Sequence, residues 1–167
     1  LNTTMNVRDF MVACGQEVSN NIYEPNSPQN TRLYLRLITE EYFELLRSFS
    51  EEKEYKFLEN IQGMLYEICE NGDKVISSQK RISIADDLAD INYVCHGLAN
   101  VLGINLQLVK EQVHASNMSK LNPVTGLADR DKNNKVIKGV NYFKPDILKV
   151  LENESFIGKT TLVDTKN

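Results

Sequence analysis

A chain of 167 residues is long enough to form one domain that buries its apolar surface without disulfide staples. Hydrophobic residues make 41% and charged residues 25%, an ordinary globular balance that excludes intrinsic disorder. A net charge of -4 excludes the basic surface that nonspecific nucleic-acid binding requires, and 8 Gly with 4 Pro are too few for a turn-dense β sandwich.

In chain order, Met5 to Asn20 carries Phe10, Met11, Cys14 and Val18 at helical spacing and predicts a first helix. Asn21 to Gln29, with Pro25 and Pro28, reads as a loop. Asn30 to about Ser50 repeats Leu33, Tyr34, Leu37, Ile38, Glu41 and Leu45 as a second helix. Glu51 to Asn71 predicts a third, with Phe57, Leu58, Ile61, Leu65 and Ile68 inward and Asn71-Gly72 closing it. A fourth starts at Ser83, with Asp86 as the acid of a capping box, and stops at Gly103. Leu106 to Lys120 is a fifth. Beyond it, Asn122-Pro123, Gly126 and Gly139 punctuate short pieces, and Lys135 to Lys138 suits a hairpin. Residues 1–150 then form one domain and 151–167 a polar tail.

Cys14, Cys69 and Cys95 are odd in number and contain no CxxC, which argues against a zinc ribbon, a thioredoxin-type site or a disulfide framework. Leu1 to Arg8 shows no signal-peptide pattern. Ile91 to Val109 lacks Asp, Glu, Lys and Arg, but Asn92, His96, Asn100, Asn105 and Gln107 would be costly in lipid, so it reads as a buried helix. No membrane span and a cytoplasmic location are expected.

Two helices place acids among apolar residues. On the second, taking Glu41 as zero at about 100° per residue, Tyr34, Ile38 and Leu45 fall between roughly 20° and 60° and Glu44 near -60°. Glu40 lies near -100°, bordering a polar face of Arg32, Arg36 and Arg47. On the fourth, Asp87 and Asp90 share an arc with Ile91, Val94, Leu98 and Val101. Four such carboxylates facing one another repel, and a divalent cation resolves the conflict. The competing reading is that a helix face is misjudged and the acids are solvated. Two pairs on two helices favour an oxygen cage for Mg²⁺ or Mn²⁺.

Other metal chemistries fit less well. Glu111 and His114 supply one Glu-x-x-His, but the other histidine, His96, has Tyr93 where a second ferritin-like motif needs Glu. HExxH, GxxxxGK[ST] and GxGxxG are absent. A hard cation held by carboxylates alone points to phosphoryl or nucleotidyl chemistry on a helical scaffold.

Glu40-Glu41-Tyr42-Phe43-Glu44 followed by Asp86-Asp87-Leu88-Ala89-Asp90 resembles the EExxE…ExxD signature of the all-α nucleoside triphosphate pyrophosphatases. That group includes MazG proteins, dimeric dUTPases and phosphoribosyl-ATP pyrophosphohydrolases. Val113 to Leu121 and Lys135 to Asp146 are similar to the C-terminal elements of its MazG-like, phosphoribosyl-ATP pyrophosphohydrolase-like branch. The resemblance covers roughly Val7 to Leu148 and implies an all-α, four-helix-bundle fold with an added helix and a short C-terminal hairpin or tail.

It implies further that Glu41, Glu44, Asp87 and Asp90 hold Mg²⁺ and that Glu40 orients or deprotonates the attacking water. Asn117 and Lys120 match positions that meet substrate phosphate or sugar. Tyr142 and Lys144 are candidates to close over the substrate. The expected reaction is hydrolysis of a nucleoside triphosphate to the monophosphate and pyrophosphate, in a homodimer or dimer of dimers. Two departures stand out: Asp87 occupies a position where the family usually has Glu, and Glu51 to Arg81 adds a helix between the acidic segments. A catalytically silent bundle acting in protein association is the alternative. A phosphoribosyl-ATP hydrolase is a third reading, disfavoured because the chain after Asn117 suits the other branch.

Overall fold

The computed structural model describes residues 3–132 and 135–153; of the polar tail expected over 151–167, residues 151–153 end a helix instead and the rest lies outside the described residues. Six α-helices and no extended strands occur among the described residues. They fall into two compact units, one of residues 16–86 and the other of 1–15 with 87–167.

The first unit is a helical hairpin. Helix α2 spans Pro28–Arg47, and Ser27 caps it, its Oγ accepting from the Asn30 N–H at 3.4 Å. Pro28, read from sequence as loop, is the first helical residue, where its missing N–H costs nothing. A 3-10 turn at Glu52–Glu54 leads into α3, Tyr55–Cys69, and a second turn at Glu70–Gly72 closes it.

Helix α3 packs along α2 around Phe43, which is 2% exposed, with Leu58 and Cys69 also buried. The arginine stripe of α2 reaches across this seam while staying partly open to water. Arg32 reaches Glu70 at 3.1 Å and Asp73 at 3.4 Å, while Arg36 reaches Glu70 at 3.1 Å. The Arg36 guanidinium also lies 4.3 Å above the Tyr66 ring centroid. Arg47 donates to Gln62 Oε1 at 2.7 Å, and Gln62 in turn donates to the Tyr66 hydroxyl. A seam that buries polar side chains while pairing them keeps its hydrogen bonds. The turn after α3 comes so close that a Cβ on Gly72 would lie 2.7 Å from Leu35 Cδ1 and 3.2 Å from the Arg32 Cα.

The two ends of this hairpin meet. Asn26 donates to the Lys74 carbonyl at 3.0 Å and accepts from the Ile76 N–H at 2.7 Å. Arg81 donates to the carbonyls of Glu24 and Ile76 and to Asn26 Oδ1.

In the second unit α1, Thr3–Ala13, packs on α5, Leu106–Met118, and α5 packs on α6, Ile147–Asn153. Helix α1 ends well before Asn20 because Gly15 takes a left-handed φ of 71°. Asn105 caps α5 through Leu108 N–H. The carbonyls that α1 leaves unpaired at its end accept from Ala128 N–H and from the Arg130 guanidinium, at Ala13 and Cys14 respectively. The hairpin expected near Lys135 is one antiparallel bridge wide, Arg130 with Val136. Helix α6 has no counterpart in the sequence reading.

Helix α4, Ser78–Val101, contributes its first residues to one unit and the rest to the other. It starts five residues before Ser83. Ser77 caps it instead, accepting from Lys80 N–H at 3.3 Å, so Asp86 is a mid-helix residue and has no capping role. Ala99 is the one buried residue of α4; Leu88, Ile91, Val94 and Val101 are exposed. A helix that is apolar on several sides needs covering.

Candidate active site

Arg36, Thr39, Phe43 and Arg47 define the α3 seam of helix α2 one turn apart, so Glu41 lies on the opposite side, Glu44 about a quarter-turn from the seam and Glu40 at its border. All three acids are exposed. Leu37, Ile38 and Leu45 beside them are exposed to about the same degree, near 40%. The apolar arc read from the sequence is therefore present, and in the single chain it is bare, so its acids are solvated along with its leucines.

No Lys or Arg pairs with Glu40, Glu41 or Glu44 among the described residues. This is unexpected on a helix with three arginines. Glu40 lies one turn after Arg36 and Glu44 three residues before Arg47, both spacings that permit ion pairs. Tyr66 and Gln62 of α3 and Glu70 of the turn after it hold those guanidinium groups instead.

Asp87 and Asp90 lie on α4 and are exposed, as is Asp86. They belong to the other unit from the α2 acids. Among the described residues no group of three or more His, Cys, Asp or Glu side chains comes together. The donor chemistry, carboxylate oxygen throughout, suits a hard divalent cation and not a soft one.

The substrate-side candidates lie at the end of α5 and the segment that returns to it. Asn117 and Lys120 are joined directly: Lys120 Nζ donates to Asn117 Oδ1 at 2.7 Å, and the Lys120 N–H donates to the Asn117 carbonyl at 3.1 Å. Tyr142 is half-buried with the Lys138 ammonium 4.4 Å from its ring centroid, and Lys144 is exposed.

Ser116, Ser119 and Gly139, which the sequence offers only as part of a segment or as turn punctuation, stitch this region. Ser116, 3% exposed, donates to the Phe143 carbonyl at 2.8 Å, and the Phe143 N–H donates to Ser119 Oγ at 3.1 Å. Cys14, at the adjoining end of α1, is buried; desolvation pushes its thiol above its ordinary value, opposed by the nearby charges of Arg130 and Lys120. His96 and His114 enter none of these contacts.

An all-α chain carrying a glutamate triplet on one helix and an aspartate pair on another has the architecture of an anhydride-cleaving pyrophosphohydrolase. A family model described as phosphoribosyl-ATP pyrophosphohydrolase matches residues 7–117, and the chain belongs to that family, within the all-α nucleoside triphosphate pyrophosphatase superfamily. It is accordingly a hydrolase acting on acid anhydrides. The match takes in both acidic segments and Asn117; Lys120, Tyr142 and Lys144 lie beyond its end. No curated protein and no solved structure matches the chain. No helix of the described residues is long and apolar enough to cross a membrane.

Proposed function

We propose that this chain is a Mg²⁺-dependent nucleoside triphosphate pyrophosphohydrolase, cleaving the α–β anhydride of an NTP or dNTP to the monophosphate and pyrophosphate. One observation carries the reading. Glu40, Glu41 and Glu44 stand unneutralised on a helix whose three arginines are all engaged elsewhere. Acids kept free of internal counter-charge are ready for an external cation. Glu41, Glu44, Asp87 and Asp90 hold it, with Mn²⁺ able to replace Mg²⁺.

Bound there, the ion supplies positive charge for the substrate phosphates and for the departing pyrophosphate. Glu40 orients the attacking water and accepts its proton as the water oxygen bonds to the α-phosphorus and the bridge to the β-phosphate breaks. Lys120, held by an amide oxygen rather than by a carboxylate, keeps its full charge for a phosphate oxygen. Asn117 fixes that ammonium, and Tyr142 and Lys144 close over the substrate from the returning segment. The bare faces of α2 and α4 support a homodimer, or a dimer of dimers, in which a second copy covers Leu88, Ile91 and Val94. The protein acts in the cytoplasm.

The family model's own substrate, phosphoribosyl-ATP, contains the same anhydride and is the second reading. An assay of pyrophosphate release across canonical and modified nucleotides and phosphoribosyl-ATP tests both. Turnover of a triphosphate that requires Mg²⁺, and that EDTA abolishes without unfolding the protein, is expected. Preferred turnover of phosphoribosyl-ATP selects the second reading. No turnover of any anhydride leaves a silent bundle acting in protein association, and turnover persisting in chelator sinks the carboxylate site.

A further inference from the structure

The geometry points to Gly139 as a positioning residue that sets the ammonium of Lys120 through its backbone. This rests on the reading of Lys120 as a phosphate contact. Three bonds fix Lys120. Its N–H donates to the Asn117 carbonyl at 3.1 Å, its Nζ to Asn117 Oδ1 at 2.7 Å, and its own carbonyl accepts from the Gly139 N–H at 3.0 Å. The first two come from its own helix end. The third comes from a residue 19 positions later and ties Lys120 to the returning segment.

Only a residue without a side chain fits there. A Cβ at position 139 would lie 2.9 Å from the Lys120 carbonyl oxygen and 2.8 Å from that of Leu121. Both atoms are backbone, at the closed end of a helix, and Leu121 is itself buried. Relief of the clash requires the segment to move away, which breaks the bond to Lys120. The same segment is pinned four residues later, where Phe143 N–H donates to Ser119 Oγ and Ser116 donates to the Phe143 carbonyl. Tyr142 N–H donates to the Gly139 carbonyl at 3.0 Å, so the two anchor points form one rigid turn.

No carboxylate pairs with Lys120 among the described residues. The arrangement therefore orients a cation without discharging it. A side chain held in its binding position before the ligand arrives loses less entropy on binding. Gly139 and Ser119 thus act on binding of the polyphosphate, through Lys120, and not on the reacting atoms.

The test measures binding of inorganic tripolyphosphate by calorimetry in Mg²⁺, alongside KM and kcat for the nucleotide best turned over. Lys120→Gln should raise both the tripolyphosphate Kd and KM by about tenfold, the loss of one charge-assisted hydrogen bond. Gly139→Ala should raise both several-fold with kcat and Mg²⁺ affinity unchanged. Ser119→Ala, which adds no volume and decides the matter if Gly139→Ala does not fold, should act in the same direction. In the Lys120→Gln background neither substitution should add a further loss, since residues acting through one group are not additive.

A Gly139→Ala or Ser119→Ala protein with unchanged Kd and KM, beside a defective Lys120→Gln, overturns the inference while leaving the phosphate contact standing. So does a loss that persists undiminished without Lys120. An unaffected Lys120→Gln protein overturns the underlying assignment instead.

Discussion

Helices α2 and α4 both carry acids three residues apart, and they are supported in different ways. Behind α2 lie α3 and the turn that follows it, which bury Phe43 and occupy every arginine of that helix. Along α4 only Ala99 is buried, and Ile82, Leu88, Ile91, Val94 and Val101 stand open. The hairpin of α2 and α3 thus has a buried seam of its own, whereas α4 leaves most of its apolar side chains exposed. Substitutions on the two helices should report different quantities: intrinsic stability for α2, assembly for α4.

The largest contrast comes from the acids. Asp90→Asn should lower turnover on the order of 100-fold or more if the carboxylate holds the cation that the phosphates need. It should also abolish Mg²⁺-dependent stabilisation, since a ligand that binds only the folded state stabilises by mass action. Its melting point without metal should hold or rise, because like-charge repulsion with Asp86 and Asp87 falls. Glu59→Gln, on exposed α3 surface, is the control that should change none of these. A fully active Asp90→Asn enzyme would show that the acidic face has been misread.

Stability separates the helices next. Phe43→Ala should cost about 3–5 kcal/mol in urea unfolding, the usual range for emptying a buried aromatic site, at any protein concentration. Val94→Asp should instead lower stability in a concentration-dependent way and yield the 19.1 kDa monomer in sedimentation. A wild-type chain that sediments only as the monomer at micromolar concentration would refute the idea that α4 is covered by a second copy.

The smallest effect sharpens the account of the seam. Glu70→Gln removes the shared partner of Arg32 and Arg36, but these side chains are 38–48% exposed. The loss in unfolding free energy should stay below about 1 kcal/mol and shrink in high salt. A loss of several kcal/mol would mean that the arginines, and not Phe43, hold the hairpin together.

Much of this was legible in the sequence where a single periodicity decides. The presence and approximate place of α2, α3 and α5 follow from their apolar spacing, with ends off by up to four residues, and the stop after α4 from Gly103, whose φ is 69°. The errors arose where local signals compete. Ser83 with Asp86 makes a better capping box on paper than Ser77 with Lys80, yet Arg81 bound to Glu24 and Asn26 draws the helix start forward to Ser78. Pro28 reads equally as loop or as first helical residue until Ser27 is seen to cap.

The arginine stripe shows a deeper limit. Its spacing marks a polar face correctly, but no local pattern says whether that face meets water or Glu70, 34 residues beyond Arg36. The candidate site divides in the same way. The acids and the Asn117–Lys120 pair stand out by type and spacing. Gly139 has no chemical signature at all, and its role emerges only from two carbonyl oxygens within 3 Å of where its Cβ would be.

The bonds of Asn26 to Lys74 and Ile76 set a rule for how this chain tolerates change in length. They bring together positions 50 residues apart, so the chain enters and leaves the α2–α3 hairpin through a single doorway. Residues added or removed at the hairpin's far turn, near Ser50, leave that doorway where it is. For a flexible addition, the entropy of closing the loop grows only with the logarithm of its size, about 0.6 kcal/mol for each doubling. A lineage, or an engineer, can extend the hairpin at its tip while the start of α4 stays fixed by the same two side chains, Asn26 and Arg81.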